Sequence, residues 1–201
     1  MGTGKTAVAR RLASASGREF IDTDEEIVLG HGPIPAIFER DGEEHFRELE
    51  RTVVARLAPR RNLVISTGGG TMLDSENVLS FVGAEIYTLT AEPEEILTRL
   101  TEEGLGTRPL LAESADPEQA IRSLLAERHD AYARFTSIDT TGKSIEEVID
   151  ALRDLGASIA SEEEQAGADA AKRSSSDVAI STMIALAVAV LIVMIVLVMT
   201  F

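Results

Sequence analysis

Four groups of residues in this chain have types and spacings that suit chemistry on phosphate. The chain begins Met1-Gly2-Thr3-Gly4-Lys5-Thr6. Gly4, Lys5 and Thr6 fit the end of the phosphate-loop pattern G-x-x-x-x-G-K-[ST]. In such a loop, small residues let backbone N–H groups approach phosphate oxygens. The N-terminus of the helix that follows adds partial positive charge. Lys5 would reach the β- and γ-phosphates, and the Thr6 hydroxyl would hold Mg2+. The first glycine of the pattern would fall before Met1. The expectation is therefore a loop without its opening glycine and without the strand that normally leads into it.

Asp22-Thr23-Asp24 is the second group. Two carboxylates two residues apart lie on one side of an extended segment. One can organise the waters of Mg2+, and the other can accept a proton from, or orient, an attacking hydroxyl. Asp24-Glu25-Glu26 equally suits the N-terminus of a helix, which is the simpler reading of the charges alone. The third group, Gly68-Gly69-Gly70, is either a hinge or a place where backbone must approach a ligand that any side chain would strike. Arginines form the fourth. Arg47 and Arg128 are by default surface residues, but a planar guanidinium is the preferred partner of a carboxylate. Arg108 falls in a polar, glycine-containing segment, residues 102–116, that reads as a lid able to close over phosphates.

The elements that must position these groups alternate. Hydrophobic spacing predicts helices over 4–16, 35–40, 42–57, 75–81, 93–101, 117–134 and 144–155. Strands are predicted over 19–22, 62–67, 84–89 and 136–139. Strands alternating with helices imply a parallel sheet covered on both faces, with ligands bound beyond the carboxyl ends of the strands. The loop, Asp22-Thr23-Asp24 and the glycine triplet all fall at those ends.

Composition bounds the rest. The chain has 201 residues and a formal net charge of −15. With no basic stripe, it makes a poor nucleic-acid binder. There is no cysteine, which excludes disulfides and thiolate metal sites. His31, His45 and His129 are scattered without ligand spacing. Residues 156–177, acidic and Ser-rich, read as a flexible linker. Residues 178–201 carry no charge and are long enough to cross a bilayer as a single transmembrane helix. Lys172 and Arg173 would keep the preceding domain on the cytoplasmic side.

The motifs Gly-Thr-Gly-Lys-Thr, Phe-Ile-Asp-Thr-Asp, Phe-Arg-Glu-Leu-Glu, Ile-Ser-Thr-Gly-Gly-Gly and Arg-Pro-Leu-Leu, with Arg128 ahead of Tyr132, follow one another through residues 1–155. In this order and spacing the stretch resembles the shikimate kinases, small phosphate-loop kinases of aromatic amino-acid biosynthesis. Kinases for gluconate or nucleoside monophosphates lack the combination. The resemblance implies an α/β, parallel-sheet phosphate-loop fold of the nucleoside-monophosphate-kinase type, here lacking its first strand, which is central in the family's sheet. It implies transfer of phosphate from ATP to shikimate, giving 3-phosphoshikimate, with Mg2+ as cofactor. ATP would meet Gly2, Thr3, Gly4, Lys5, Thr6, Ala7 and Arg108, and Mg2+ would meet Thr6 and Asp22. Shikimate would meet Asp24, Arg47, Arg128 and the triplet Gly68, Gly69 and Gly70, with Gly69 nearest the ring hydroxyls. Lys5, Asp24 and Arg108 would be the catalytic groups. The implied partners are ATP and shikimate, in a monomer. The family is usually soluble and does not explain residues 178–201, so the expected membrane tether rests on that apolar run, and the expected absence of a nucleic-acid partner rests on the acidic charge. Two other readings stand beside this one: a membrane-anchored degenerate kinase without activity, and a kinase of the same fold acting on another hydroxy acid such as gluconate.

Overall fold

The computed structural model describes residues 2–103, 116–156 and 195–199. The chain opens directly into helix α1, Lys5–Ser16, which begins after Gly4 at φ 79° and ends at Gly17 at φ 66°. Both positions need the left-handed backbone that glycine adopts without strain. Strand β1 (Glu19–Asp22) follows, then helix α2 (Thr23–His31) and helix α3 (Ile34–Leu57). Strand β2 (Leu63–Ser66) leads through a glycine turn into a short 3-10 turn (Thr71–Leu73) and helix α4 (Ser75–Ser80). Strand β3 (Glu85–Thr90), helix α5 (Pro93–Glu103), helix α6 (Pro117–Tyr132) and strand β4 (Thr136–Asp139) come next. Helix α7 spans residues 145–156, and strand β5 spans Ile195–Met199.

The five strands form one sheet in the order β1-β2-β5-β3-β4, and every pairing is parallel. Side chains alternate across it. On one face Ile21, Leu63 and Ile65 pack with Val53, Val54 and Leu57 of α3. On the other face Val64, Tyr87, Leu89 and Ile138 pack with Val8, Leu12 and Ala13 of α1 and with Val148, Ile149 and Leu152 of α7. Layered burial on both faces is what a parallel sheet requires. It leaves the carboxyl ends of the strands, at Asp22, Ser66, Thr90 and Asp139, aligned along one edge.

Two expectations are corrected. Asp22-Thr23-Asp24 is not a continuous extended segment. Asp22 ends β1, and its carboxylate caps α2 by accepting from the backbone N–H of Asp24 at 3.0 Å and of Glu25 at 3.4 Å. The helix N-terminus reading of these acidic residues therefore holds, and α2 was not predicted. The helices expected over 35–40 and 42–57 are both present within α3, separated by a break at Gly42, whose φ of 85° is non-helical. Residues 195–199, expected inside a transmembrane helix, form the central strand. No helix among the described residues is long and apolar enough to cross a membrane. Strands β2 and β3 are accordingly not left with the unpaired edges that a missing central strand would produce. Of the remaining expectations, residues 104–115 of the lid, with Arg108, lie outside the described residues, as do most of the linker and residues 178–194.

Leu63 is fully buried beneath α3. Truncation there removes apolar contacts and leaves a void that the neighbouring strands cannot collapse into. Leu63→Ala is expected to lower stability by about 2–5 kcal/mol. The check is urea denaturation, with the midpoint falling and the slope unchanged.

Candidate active site

The phosphate loop meets β2 through Lys5, whose Nζ donates to the carbonyl oxygen of Thr67. The ammonium thus stands between the helix N-terminus and the turn that follows β2. Thr3 is buried in the loop. A Cβ on Gly2 would meet Leu100 Cγ at 2.9 Å and the Ile96 carbonyl oxygen at 3.1 Å, so the loop is pressed against α5 where only glycine fits. Gly4 has open space around it and is needed for its positive φ. Thr6 Oγ1 donates to Asp22 Oδ2 at 3.0 Å and lies 3.5 Å from the Ser66 hydroxyl. One carboxylate oxygen therefore faces the loop while the other caps α2. Ala7 is exposed in the first turn of α1.

The glycine turn also makes room for side chains of the protein itself. A Cβ on Gly68 would lie 2.6 Å from Asp24 Oδ1, 2.8 Å from Glu50 Oε1 and 2.9 Å from Thr71 Oγ1. A Cβ on Gly70 would lie 2.6 Å from Arg47 Nη1 and 3.0 Å from its Cζ. Gly68 and Gly70 are therefore small to seat this protein's own polar side chains. The carbonyl oxygen of Gly69 accepts from Arg128 Nη1 at 2.6 Å and from the Tyr132 hydroxyl at 2.8 Å. The turn is pinned to α2 as well, because the Gly68 N–H donates to Thr23 Oγ1 at 3.0 Å.

At the centre of this arrangement is Glu50, a buried carboxylate on α3. It accepts from Thr71 Oγ1 at 2.6 Å and from Arg47 Nη1 at 2.5 Å. Arg47 also donates to Glu43 at 2.8 Å. The two carboxylates and their hydrogen bonds hold its guanidinium above the ordinary arginine range against the opposing effect of burial. Arg128 is shifted the other way: burial lowers it first, and the positive charge of Arg47 adds to that. Two guanidiniums thus flank the glycine turn, one against Gly70 and one on the Gly69 carbonyl. Tyr132 is pushed up to about 12 by burial, so its phenol keeps the proton that it donates.

Asp24 projects from the first turn of α2. Burial raises its carboxyl above the usual carboxylate range, and the charges of Asp22 and Glu50 add to this, while Lys5 and Arg47 oppose it. Its Oδ1 is buried and has no hydrogen-bond partner among the described residues. A buried carboxylate oxygen with unspent acceptor capacity, facing the turn between the phosphate loop and two arginines, can take a proton from a hydroxyl. Next to the loop, a cavity of about 280 Å3 is lined by Thr3, Gly4, Arg99, Thr140, Lys143 and Ser144, among others. Arg99 shapes its wall by donating to the Thr140 hydroxyl at 3.0 Å and to the Thr140 carbonyl oxygen at 2.8 Å.

The structure therefore brings Lys5, Thr6, Asp22, Asp24, Arg47, Gly68, Gly69, Gly70 and Arg128 to one edge of the sheet. Sequence reasoning gave no role to Glu50, Thr71, Thr23, Ser66 or Tyr132. Glu50 had a usable signal, because it follows Arg47 by three residues on a predicted helix and so shares its face. Thr71 and Ser66 had none, since their partners come from distant elements.

Comparison with known proteins agrees with this geometry. The family model for shikimate kinase matches residues 1–155. The shikimate kinase of Pelotomaculum thermopropionicum is 45% identical over 153 residues, covering 75% of this chain and 87% of that protein. That of Geobacter metallireducens is 44% identical, covering 74% and 83%. Among solved structures, shikimate kinase from Acinetobacter baumannii in complex with shikimate superposes with a TM-score of 0.70 at 36% identity, covering 79% of this chain and 89% of that one. The Aquifex aeolicus enzyme gives 0.63 at 31% identity, covering 79% and 93%. A phosphate loop braced on β2, an acidic residue beside it and two arginines on a glycine turn belong together here for a reason that extends beyond one sequence: the chain belongs to the shikimate kinase family.

Proposed function

We infer that this chain transfers the terminal phosphoryl group of ATP to shikimate, giving ADP and 3-phosphoshikimate. The observation that carries this reading is the glycine turn, which holds Arg47 and Arg128 on one side and, at Gly68, Asp24. That arrangement fits a ligand with a carboxylate at one end and hydroxyls at the other. Gluconate is also an acid, but the family match and the shikimate-bound relative favour shikimate.

Each residue has a task that its surroundings support. Backbone N–H groups of Gly2, Thr3, Gly4, Lys5, Thr6 and Ala7 would line the phosphates at the N-terminus of α1. Lys5 neutralises phosphate charge as the bond to the leaving group loosens. Arg47 and Arg128 grip the carboxylate and fix the ring. Gly68, Gly69 and Gly70 carry backbone up to it. Asp24 orients the attacking hydroxyl and accepts its proton. Arg108 would close over the phosphates from the lid.

Thr6 and Asp22 would hold Mg2+, which would neutralise charge on the transferring phosphoryl group. The donor set fits. Among the described residues no group of three His, Cys, Asp or Glu side chains could hold a metal by itself. A hydroxyl beside one carboxylate is the sparse protein contribution that Mg2+ uses when phosphates and water supply the rest. Catalysis is then mostly positioning and charge neutralisation, since the transition state is loose.

The direct test is ADP release by the full chain with Mg2+ and ATP, comparing shikimate with gluconate. ADP formation that depends on shikimate is expected; turnover with gluconate alone would overturn the reading. Gly70→Ala places a methyl group where the Arg47 guanidinium lies. It should raise KM for shikimate about tenfold or more, a loss of at least about 1.4 kcal/mol, while KM for ATP stays within about twofold. Because the folded state raises the Asp24 pKa, catalysis that needs its carboxylate is lost as pH falls through that raised value. Stability moves oppositely: between the unfolded and the raised folded value the native state binds more protons, so this group's contribution decreases as pH rises. A pH profile of kcat/KM should show an acid limb above the ordinary carboxylate range. Asp24→Asn should abolish that limb and lower kcat by about 10²–10⁴.

A further inference from the structure

The central place in the sheet is filled from far along the chain. Ile195–Met199 pairs in parallel with β2 (Val64 with Ile195, Ile65 with Val196, Ser66 with Leu197). On its other edge it pairs with β3, from Glu85 with Ile195 through Leu89 with Met199. Helix α1, which carries the phosphate loop, lies against it. Strand β2 leads directly into Thr67, whose carbonyl receives Lys5, and into the glycine turn beyond it. Both halves of the nucleotide site therefore rest on elements that touch β5.

We propose that Ile195–Met199 docks in cis between β2 and β3 as the strand on which the phosphate site is assembled, so that the C-terminal segment is a working part of the kinase. Three observations select this occupant. With the slot empty, β2 and β3 would stand two strand spacings apart, about 9–10 Å. Facing rows of backbone N–H and C=O groups would then be unpaired, although every residue of β2 is buried and buried backbone groups demand partners. The run Ile195-Val196-Leu197-Val198-Met199 is continuously apolar, the composition of a strand covered on both faces rather than of an edge or a solvated tail. At about 3.3 Å per residue, the chain between 156 and 195 is long enough to return across the domain.

The absence of cysteine gives a clean test. Ile86 and Val196 are register partners on adjacent strands about 4.8 Å apart, within the Cα span a disulfide accepts. The full-length double variant Ile86→Cys/Val196→Cys is oxidised under mild conditions. The proposal predicts a bridge within one chain, formed to near completion, in a protein that still binds ATP. It also predicts that Val196→Pro, which removes a ladder N–H from a central strand, lowers activity about 100-fold or more. The proposal is overturned if no bridge forms, if bridges form only between chains, if Val196→Pro retains activity, or if the chain cofloats with lipid vesicles with the cysteines unbridged. The activity readout rests on the kinase reading, and the two fail separately. A bridged chain that binds ATP without phosphorylating shikimate would overturn the substrate while upholding the strand.

Discussion

A buried carboxylate, Glu50, is the constraint around which the rest of the site is arranged. A charge taken out of water is tolerated only when paired and hydrogen-bonded. Glu50 meets that condition by accepting from Arg47 on its own helix and from Thr71 beyond the glycine turn. The pair of contacts ties α3 to the carboxyl end of β2. It also dictates Gly68, because a side chain there would enter the space of Glu50, Thr71 and Asp24 together. Arg47 is in turn turned toward Gly70. One desolvated charge thus fixes the position of a binding arginine, the shape of a backbone turn and the packing around Asp24.

The sheet supplies the second level of order. Parallel strands present their carboxyl ends together, and this chain places an acidic or hydroxyl residue at several of them: Asp22, Ser66, Thr90 and Asp139. Asp22 serves two directions at once, capping α2 with one oxygen and accepting from Thr6 with the other. A single carboxylate therefore couples the position of Asp24 to that of the phosphate loop. Movement of α2 would be felt at Thr6 through that carboxylate. The dependence of β2 and β3 on β5 extends the same logic, since the strand in the middle sets the spacing of everything along the edge.

Much of this was legible in the sequence, and the exceptions have physical causes. The order of strands and helices from residue 5 to residue 155 followed from apolar periodicity, because both faces of the sheet are covered and their alternation is strong. Lys5, Asp22, Asp24, Arg47, the glycine triplet and Arg128 were identified, and they meet at one edge. Helix α2 escaped because three acidic residues read equally well as a strand end and as a capped first turn, and Asp22 is both. That Gly68 and Gly70 also make room for Asp24, Glu50 and Arg47 escaped, because this depends on side chains from separate elements meeting at the turn. Residues 195–199 were read as membrane-spanning because an uncharged apolar run suits a bilayer and a doubly covered strand alike, and composition cannot distinguish the two. Pairing to β2 and β3 can.

The central claim is that the glycine turn holds Arg47 to recognise a carboxylate. The most direct test is calorimetric titration of shikimate and of its methyl ester into the wild-type chain and into Arg47→Met. The account predicts that the wild type prefers the free acid about tenfold or more, at least about 1.4 kcal/mol, and that this preference shrinks markedly in Arg47→Met. An equal preference for the acid in both proteins would contradict it.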